Sequence, residues 1–253
     1  MICQLDVPGR AAPLFGSWPE TILWSCLQGV MGAVYGDDPT APRSAAAVLG
    51  DFCFLAGAPR TELAESALQG RSSCILIPRH EGWNPSIIQQ FGDRAVPITR
   101  YATRKDPAAF DRPHLQKLSS GLGNPYTIRI INKDLYTLCK KEAWSRDLVS
   151  QFPDWQAFRD LGLGFVILKD GRPVSGASSY SRCREGIEIE IDTHPDHRRR
   201  GLALACGARL ILECLDRGLY PSWDAHTTAS LALAERLGYT LSRPYPAFLV
   251  SAL

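Results

Sequence analysis

Apolar residues recur along the chain in short blocks divided by Gly, Pro and Asp, with blocks of helical period between them. Pro19 to Val30 reads as a buried helix after the loop Gly16-Ser17-Trp18. Gly32 to Tyr35, Ala45 to Leu49 and Phe52 to Leu55 read as strands, with a turn at Gly36-Asp37-Asp38-Pro39. Thr61 to Leu68 predicts a helix, Cys74 to Pro78 a buried strand and Pro85 to Phe91 another helix. Arg94 to Tyr101 alternates as a strand does. The first half is therefore an α/β unit with a sheet.

Between residues 105 and 125, Pro, Gly, Ser and Asp punctuate the chain, around a short helix at His114 to Leu118. This predicts a boundary between domains at 1–115 and 120–253. Strand Tyr126 to Ile131, helix Lys133 to Val149 and helix Asp154 to Leu161 follow. Strands Gly164 to Leu168, Val174 to Tyr180 and Ile187 to Asp192 come next, then a long helix from Arg199 to Arg217. Tyr220 to Asp224 reads as a short strand, Thr228 to Leu237 as a helix and Tyr239 onward as a last strand. From Gly164 the order echoes that of Gly32 to Tyr101, so the first half reads as a degenerate repeat of the second.

Composition narrows the class. The 253 residues are 45% hydrophobic and 21% charged, with a net charge of +2. Such a chain folds around a sizeable core, and its charge balance argues against a nucleic-acid or membrane-surface partner. Ile22 to Tyr35 is too interrupted to span a bilayer, and Met1 to Arg10 lacks the pattern of a secretion signal. Eight scattered cysteines, several inside apolar runs, read as buried free thiols in a reducing cytoplasm.

The stretch Thr193-His194-Pro195-Asp196-His197-Arg198-Arg199-Arg200-Gly201-Leu202-Ala203 joins a strand to an amphipathic helix. On that helix Leu204, Ala208, Ile211, Leu212 and Leu215 share one face, and Arg209, Glu213, Asp216 and Arg217 the other. A helix N-terminus after a basic, glycine-containing turn presents free N–H groups and the positive end of a dipole, which suits a pyrophosphate. His194-x-x-His197 brings no further metal ligands, so no metal is expected. No Gly-x-Ser-x-Gly, His-Glu-x-x-His or Gly-Lys-Ser/Thr stretch is present, which disfavours hydrolase, metalloprotease and P-loop chemistry.

Arg198-x-x-Gly201-x-Ala203, followed by Trp223-Asp224-Ala225 and Arg236-Leu237-Gly238-Tyr239, resembles motif A and its context in the GNAT acetyltransferase superfamily. The likeness spans about residues 125–253. Ser230 and Leu233 to Tyr239, with Gly32 to Asp38 and Gly50 to Gly57, look like the zwittermicin-resistance-type branch. The resemblance implies a mixed, mostly antiparallel sheet flanked by helices, preceded by an α/β lobe. It also implies acetyl-CoA as co-substrate, with pyrophosphate on the backbone of Arg198, Arg199, Arg200, Gly201, Leu202 and Ala203 and pantetheine along Ile191, Asp192 and Thr193. Thr227 stands where the family usually has an Asn that contacts the cofactor, and Gly57-Ala58-Pro59-Arg60-Thr61 in the first half lacks the motif spacing.

An amine attacking a thioester must first lose a proton, and an alkylammonium with a pKa of about 10.4 needs a base. Glu188, Glu190 and Asp192 share one face of their strand, either as a solvated stripe or as the source of that base. The resemblance favours Glu188, then Glu190, with a bulge in the strand able to alter which points inward. The family's tyrosine acid is replaced by Ala234, leaving Tyr180, Tyr220 and His226 as candidates, and a backbone N–H near Asp192 or Thr193 as oxyanion donor. The acceptor is a small-molecule or peptide amine, and the first half serves as a cleft wall or a homodimer face. The rival reading is a GNAT-fold module that senses acyl-CoA or binds a partner without catalysis.

Overall fold

The computed structural model describes residues 2–252. The chain forms two compact units, Met1–Arg100 with Pro244–Leu253, and Tyr101–Arg243. In the first unit lie β1 (Cys3–Gln4), α1 (Ala12–Phe15), α2 (Thr21–Leu27), β2 (Ala33–Gly36), β3 (Ser44–Leu49), β4 (Phe52–Gly57), α3 (Thr61–Ser66), β5 (Ser73–Pro78) and α4 (Asn84–Phe91). Strand β6 (Ala95–Thr103) begins there and ends in the second unit. The sheet runs β1-β2-β3-β4-β5, antiparallel except for the parallel pair β4·β5. The final strand of the chain returns to pair antiparallel with β5, Phe248 opposite Leu76 and Val250 opposite Cys74. Leu63, Trp83 and Ile87 pack on this sheet with Leu55, Leu76 and Val250 as the unit's core.

The second unit continues with α5 (Arg112–Ser120), β7 (Tyr126–Ile130), α6 (Lys133–Lys141), α7 (Trp155–Leu161), β8 (Gly164–Lys169), β9 (Arg172–Arg182), β10 (Gly186–Thr193) and α8 (Leu202–Asp216). After these come β11 (Tyr220–Ser222), β12 (Asp224–Ala225), α9 (Thr228–Arg236) and β13 (Leu241–Ser251), which begins here and ends in the first unit. Its sheet runs β7-β8-β9-β10-β11, antiparallel until the parallel pair β10·β11. On α8 the predicted apolar face is buried at Leu204, Ala208, Ile211 and Leu212 against Phe165, Ile187 and Ile189. Each buried Leu or Ile here contributes about 1.5–3 kcal/mol. The other face carries Glu213 between Arg209 at 2.7 Å and Arg217 at 2.9 Å, with Arg112 reaching Asp216 at 2.7 Å.

From β2 to β6 the chain runs three strands, helix, strand, helix, strand, as the sequence predicts; from β8 to β13 the order is the same except that the predicted strand Tyr220 to Asp224 is split into β11 and β12. The first unit runs to Arg100 and the second starts at Tyr101, with α5 packed on α8 inside the second. Helix α6 stops at Lys141 and not at Val149: Glu142 is extended, and the buried Ser145 hydroxyl donates to the Cys139 carbonyl at 3.0 Å. Helix α8 starts at Leu202 and not at Arg199, because Arg199 and Gly201 have left-handed φ of 60° and 76°.

Candidate active site

Strands β10 and β11 pair for only three residues, Gly186 to Glu188 against Tyr220 to Ser222. At Trp223 the chain leaves this sheet, and Asp224 and Ala225 pair instead with Ala102 and Tyr101 of β6. Among the described residues no strand covers the edge of β10 from Ile189 to Thr193 beyond this fork. That edge presents the outward N–H and C=O groups of alternate residues to an extended ligand, apart from the Thr193 carbonyl, which Arg198 holds.

The edge leads to the basic turn. Gly201 caps α8 in the left-handed conformation, and no side chain caps the helix. Arg199 is left-handed too, a conformation that recurs in anion-binding backbone turns. A Cβ at Gly201 would meet no protein atom within 4 Å, so the space above the turn is free for a phosphate. Two arginine side chains are spent on holding the loop. Arg198 Nε donates to the Thr193 carbonyl at 3.2 Å, and Arg200 donates to Asp196 O at 3.1 Å and to the Tyr126 hydroxyl at 3.4 Å. Leu202 points into the core, so only its backbone faces the turn. Burial, with Lys169, Arg200 and His194 nearby, pushes the His197 imidazole toward its neutral form.

In the first unit the corresponding fork is closed. Phe52 to Leu55 pair with Ile75 to Pro78, Arg79 N donates to Leu55 O at 2.8 Å, and the His80 ring reaches Gly57 O at 3.0 Å. A Cβ at Gly57 would lie 2.1 Å from the Arg43 carbonyl, and Arg60 is engaged by Asp37 at 3.0 Å. Among the described residues, only the second unit has both a strand edge left uncovered and an unobstructed turn.

Glu188 sits at the apex of the fork, 4% exposed. Its Oε1 accepts from Asp224 N at 2.7 Å, and its Oε2 is buried with no hydrogen-bond partner. Desolvation raises its pKa, opposed by the Lys105 ammonium, the Ser222 hydroxyl and the Asp224 amide, and reinforced by the Asp224 charge. The register shift beside Glu188 places the extra residue on β9, at Tyr180. The alternation of β10 therefore survives: Ile187, Ile189 and Ile191 turn toward α8, and Glu188, Glu190 and Asp192 occupy the opposite face. Burial and the nearby Asp147 raise Asp192 to about 6, with Arg198 pulling down.

The other predicted positions have local duties. Thr227 Oγ1 accepts from Ser230 N at 3.1 Å as the N-cap of α9. Tyr220 donates its hydroxyl to Arg104 O at 2.9 Å, accepts from Asp106 N, and is pushed by burial to about 12. Ala234 is fully buried. Sequence reading missed Lys105, whose Nζ is bonded to the Ser222 hydroxyl; it lies in a Lys-Asp-Pro stretch that signals only a loop. Among the described residues no cluster of His, Cys, Asp or Glu is arranged to hold a metal ion, and no helix is long and apolar enough to cross a membrane.

A mixed α/β unit with this strand–turn–helix cradle is of the acyl-transferring class. The GNAT acetyltransferase family model matches residues 12–248, and the chain belongs to that family of N-acetyltransferases. A solved GCN5-related N-acetyltransferase-like protein from Streptococcus suis 89/1591 is 51% identical, covering 96% of this chain and 98% of that one at a TM-score of 0.91. An uncharacterized N-acetyltransferase of Bacillus subtilis, YdfB, is 25% identical over 240 residues, 89% of this chain and 88% of the relative. A tandem GNAT protein from the clavulanic acid biosynthesis pathway, solved without AcCoA, shares the fold at a TM-score of 0.56 and 10% identity, covering 99% of this chain and 98% of that one.

Proposed function

We propose that the chain moves the acetyl group of acetyl-CoA to a primary amine by direct attack in a ternary complex. The observation that carries this is the pairing of an open β10 edge with an uncapped, unobstructed turn at Gly201 in one unit, while the first unit has both closed. The amides of Arg198 to Ala203 bind the pyrophosphate, and the backbone of Ile191, Asp192 and Thr193 pairs with the pantetheine arm. An amide near Asp192 or Thr193 stabilises the oxyanion. Glu188 takes a proton from the attacking ammonium, directly or through water, with Glu190 as the second candidate. The neutral amine nitrogen then bonds to the thioester carbonyl carbon; as the C–S bond breaks, CoA leaves as thiolate, and the excess proton on the amide-forming nitrogen passes to that thiolate or to water. Thr227 contributes through the end of α9 that it caps.

The motif wording supports the zwittermicin-resistance-type branch, and the acceptor class is a small-molecule or peptide amine. Free thiols, seven of them buried, support a reducing cytoplasm. A homodimer built on the first half is one assembly compatible with this reading. The full burial of Glu188 and the Ala234 position favour a second reading, a module that binds acyl-CoA and transfers little.

Calorimetric titration with acetyl-CoA tests the assignment. Binding by the wild type that disappears in Gly201→Leu supports the turn as the site, and a wild type that does not bind ends the proposal. Slow acetyl-CoA hydrolysis that is lost in Glu188→Gln favours the enzyme over the binding module.

A further inference from the structure

The segment that carries Lys105 is fastened residue by residue beneath the fork. Thr103 Oγ1 donates to Trp223 O at 2.6 Å, and Arg104 N donates to Thr240 O at 2.9 Å. Lys105 Nζ bonds to the Ser222 hydroxyl, and Asp106 N donates to the Tyr220 hydroxyl at 3.2 Å. Ser222 is fully buried and stands opposite Glu188 in the β10·β11 register, the last pair before the strands part. A lysine on a flexible stem is thereby fixed beside a buried carboxylate whose Oε2 has no hydrogen-bond partner.

An unpaired carboxylate in such a place would hold its proton and be useless as a base near neutral pH. Of the charges acting on it, the Lys105 ammonium favours the ionised form. The other charged and titratable groups facing Glu188 are Asp224 on β12, Tyr220 on β11 and Tyr239 after α9. Asp224 favours the protonated form, and burial keeps both tyrosines neutral.

We propose that Lys105 is a positioning residue for acetyl transfer: anchored through Ser222, its ammonium keeps the Glu188 carboxylate ready to accept the proton of the incoming amine. This inference rests on the reading of Glu188 as the base. Lys105 acts through Ser222 and Glu188 and touches no substrate in this role.

Titration of the Glu188 carboxyl by ¹³C NMR in the full chain tests it, with the signal assigned by its loss in Glu188→Gln. In Lys105→Met the midpoint rises by about one pH unit or more, as expected for removal of an adjacent opposite charge, and Lys105→Arg restores it. Ser222→Ala, which frees the ammonium, moves the midpoint the same way by less. The acid limb of acetyl-CoA hydrolysis, followed as released thiol, moves with it. A merely structural lysine would lower thermal stability and leave the midpoint in place. An unmoved midpoint in cooperatively folding Lys105→Met overturns the inference. Should that variant not fold, an unmoved midpoint in Ser222→Ala does so. Wild-type hydrolysis and an unchanged pH profile in Glu188→Gln would instead remove Glu188 as base, an outcome separate from the NMR midpoint.

Discussion

Glu188 Oε1 accepts the backbone N–H of Asp224 at 2.7 Å, joining β10 to the first residue beyond the break at Trp223. The carboxylate thus closes the fork at the point where the paired strands end. Glu188→Ala leaves that N–H without its acceptor and costs about 1–3 kcal/mol. Glu188→Gln keeps an acceptor oxygen and mimics the protonated form that burial favours. The raised native pKa means wild-type stability from this group is lost as pH rises through it, so Gln is the more stable residue at alkaline pH. Urea unfolding of the three proteins at pH 5 and pH 8 checks the order.

The two units make opposite demands on a glycine. A Cβ at Gly57 collides with the Arg43 carbonyl, whereas one at Gly201 meets only open space, and both positions have left-handed φ. Gly57→Ala is expected to destabilise by several kcal/mol through overpacking and strain. Gly201→Ala pays only the left-handed penalty of about 1–2 kcal/mol, yet crowds the phosphate and weakens acetyl-CoA binding. Thermal unfolding and calorimetry on the pair separate the effects. If Gly201→Ala binds acetyl-CoA as the wild type does, the turn is not the cradle.

Because β4 stays paired with β5 through Leu55 while β10 leaves β11 at Glu188, one acetyl-CoA per chain is expected. A calorimetric stoichiometry of two would mean that the first unit also binds.

Much of this was legible locally. The alternation of Ile187 to Asp192 and the Arg198-to-Ala203 spacing depend on neighbours in sequence, and both elements form as the pattern predicts, with α8 shortened by the left-handed turn. What escaped is long-range. Tyr220 to Asp224 reads as one strand, but pairing changes partner at Trp223, because Asp224 meets Ala102 of a strand far earlier in the chain. Lys105 and Ser222 are 117 positions apart, and no periodicity links a loop lysine to a strand serine. The return of Pro244–Leu253 to the first unit is hidden for the same reason: Phe248 and Val250 show an apolar face but not which sheet it completes.

The cysteines give a chemical readout of packing. Seven are buried, and desolvation drives Cys26, Cys74, Cys206 and Cys214 to about 12 and Cys139 to about 11. Cys3 alone is partly exposed. A thiol reagent at pH 8 should therefore label one cysteine rapidly in the native protein and eight after denaturation. Rapid labelling of several native thiols would contradict this packing.

Asp192 supplies a further pH dependence. Its native value of about 6 exceeds the ordinary 3.8, first through burial and then through Asp147, with Arg198 opposing. A carboxyl whose pKa is raised by folding stabilises the native state fully below about 4. That contribution disappears as pH climbs through 6, because the unfolded chain releases the proton more readily. Asp192→Asn, which never ionises, should match the wild type near pH 4 and exceed its stability by about 1–3 kcal/mol at pH 8. Asp147→Asn should recover part of the same gain, since it removes only the like charge. Unfolding free energies of the three proteins across pH 4 to 8 decide the matter. A wild type that gains stability relative to Asp192→Asn as pH rises would show that Arg198, and not burial, dominates this carboxylate.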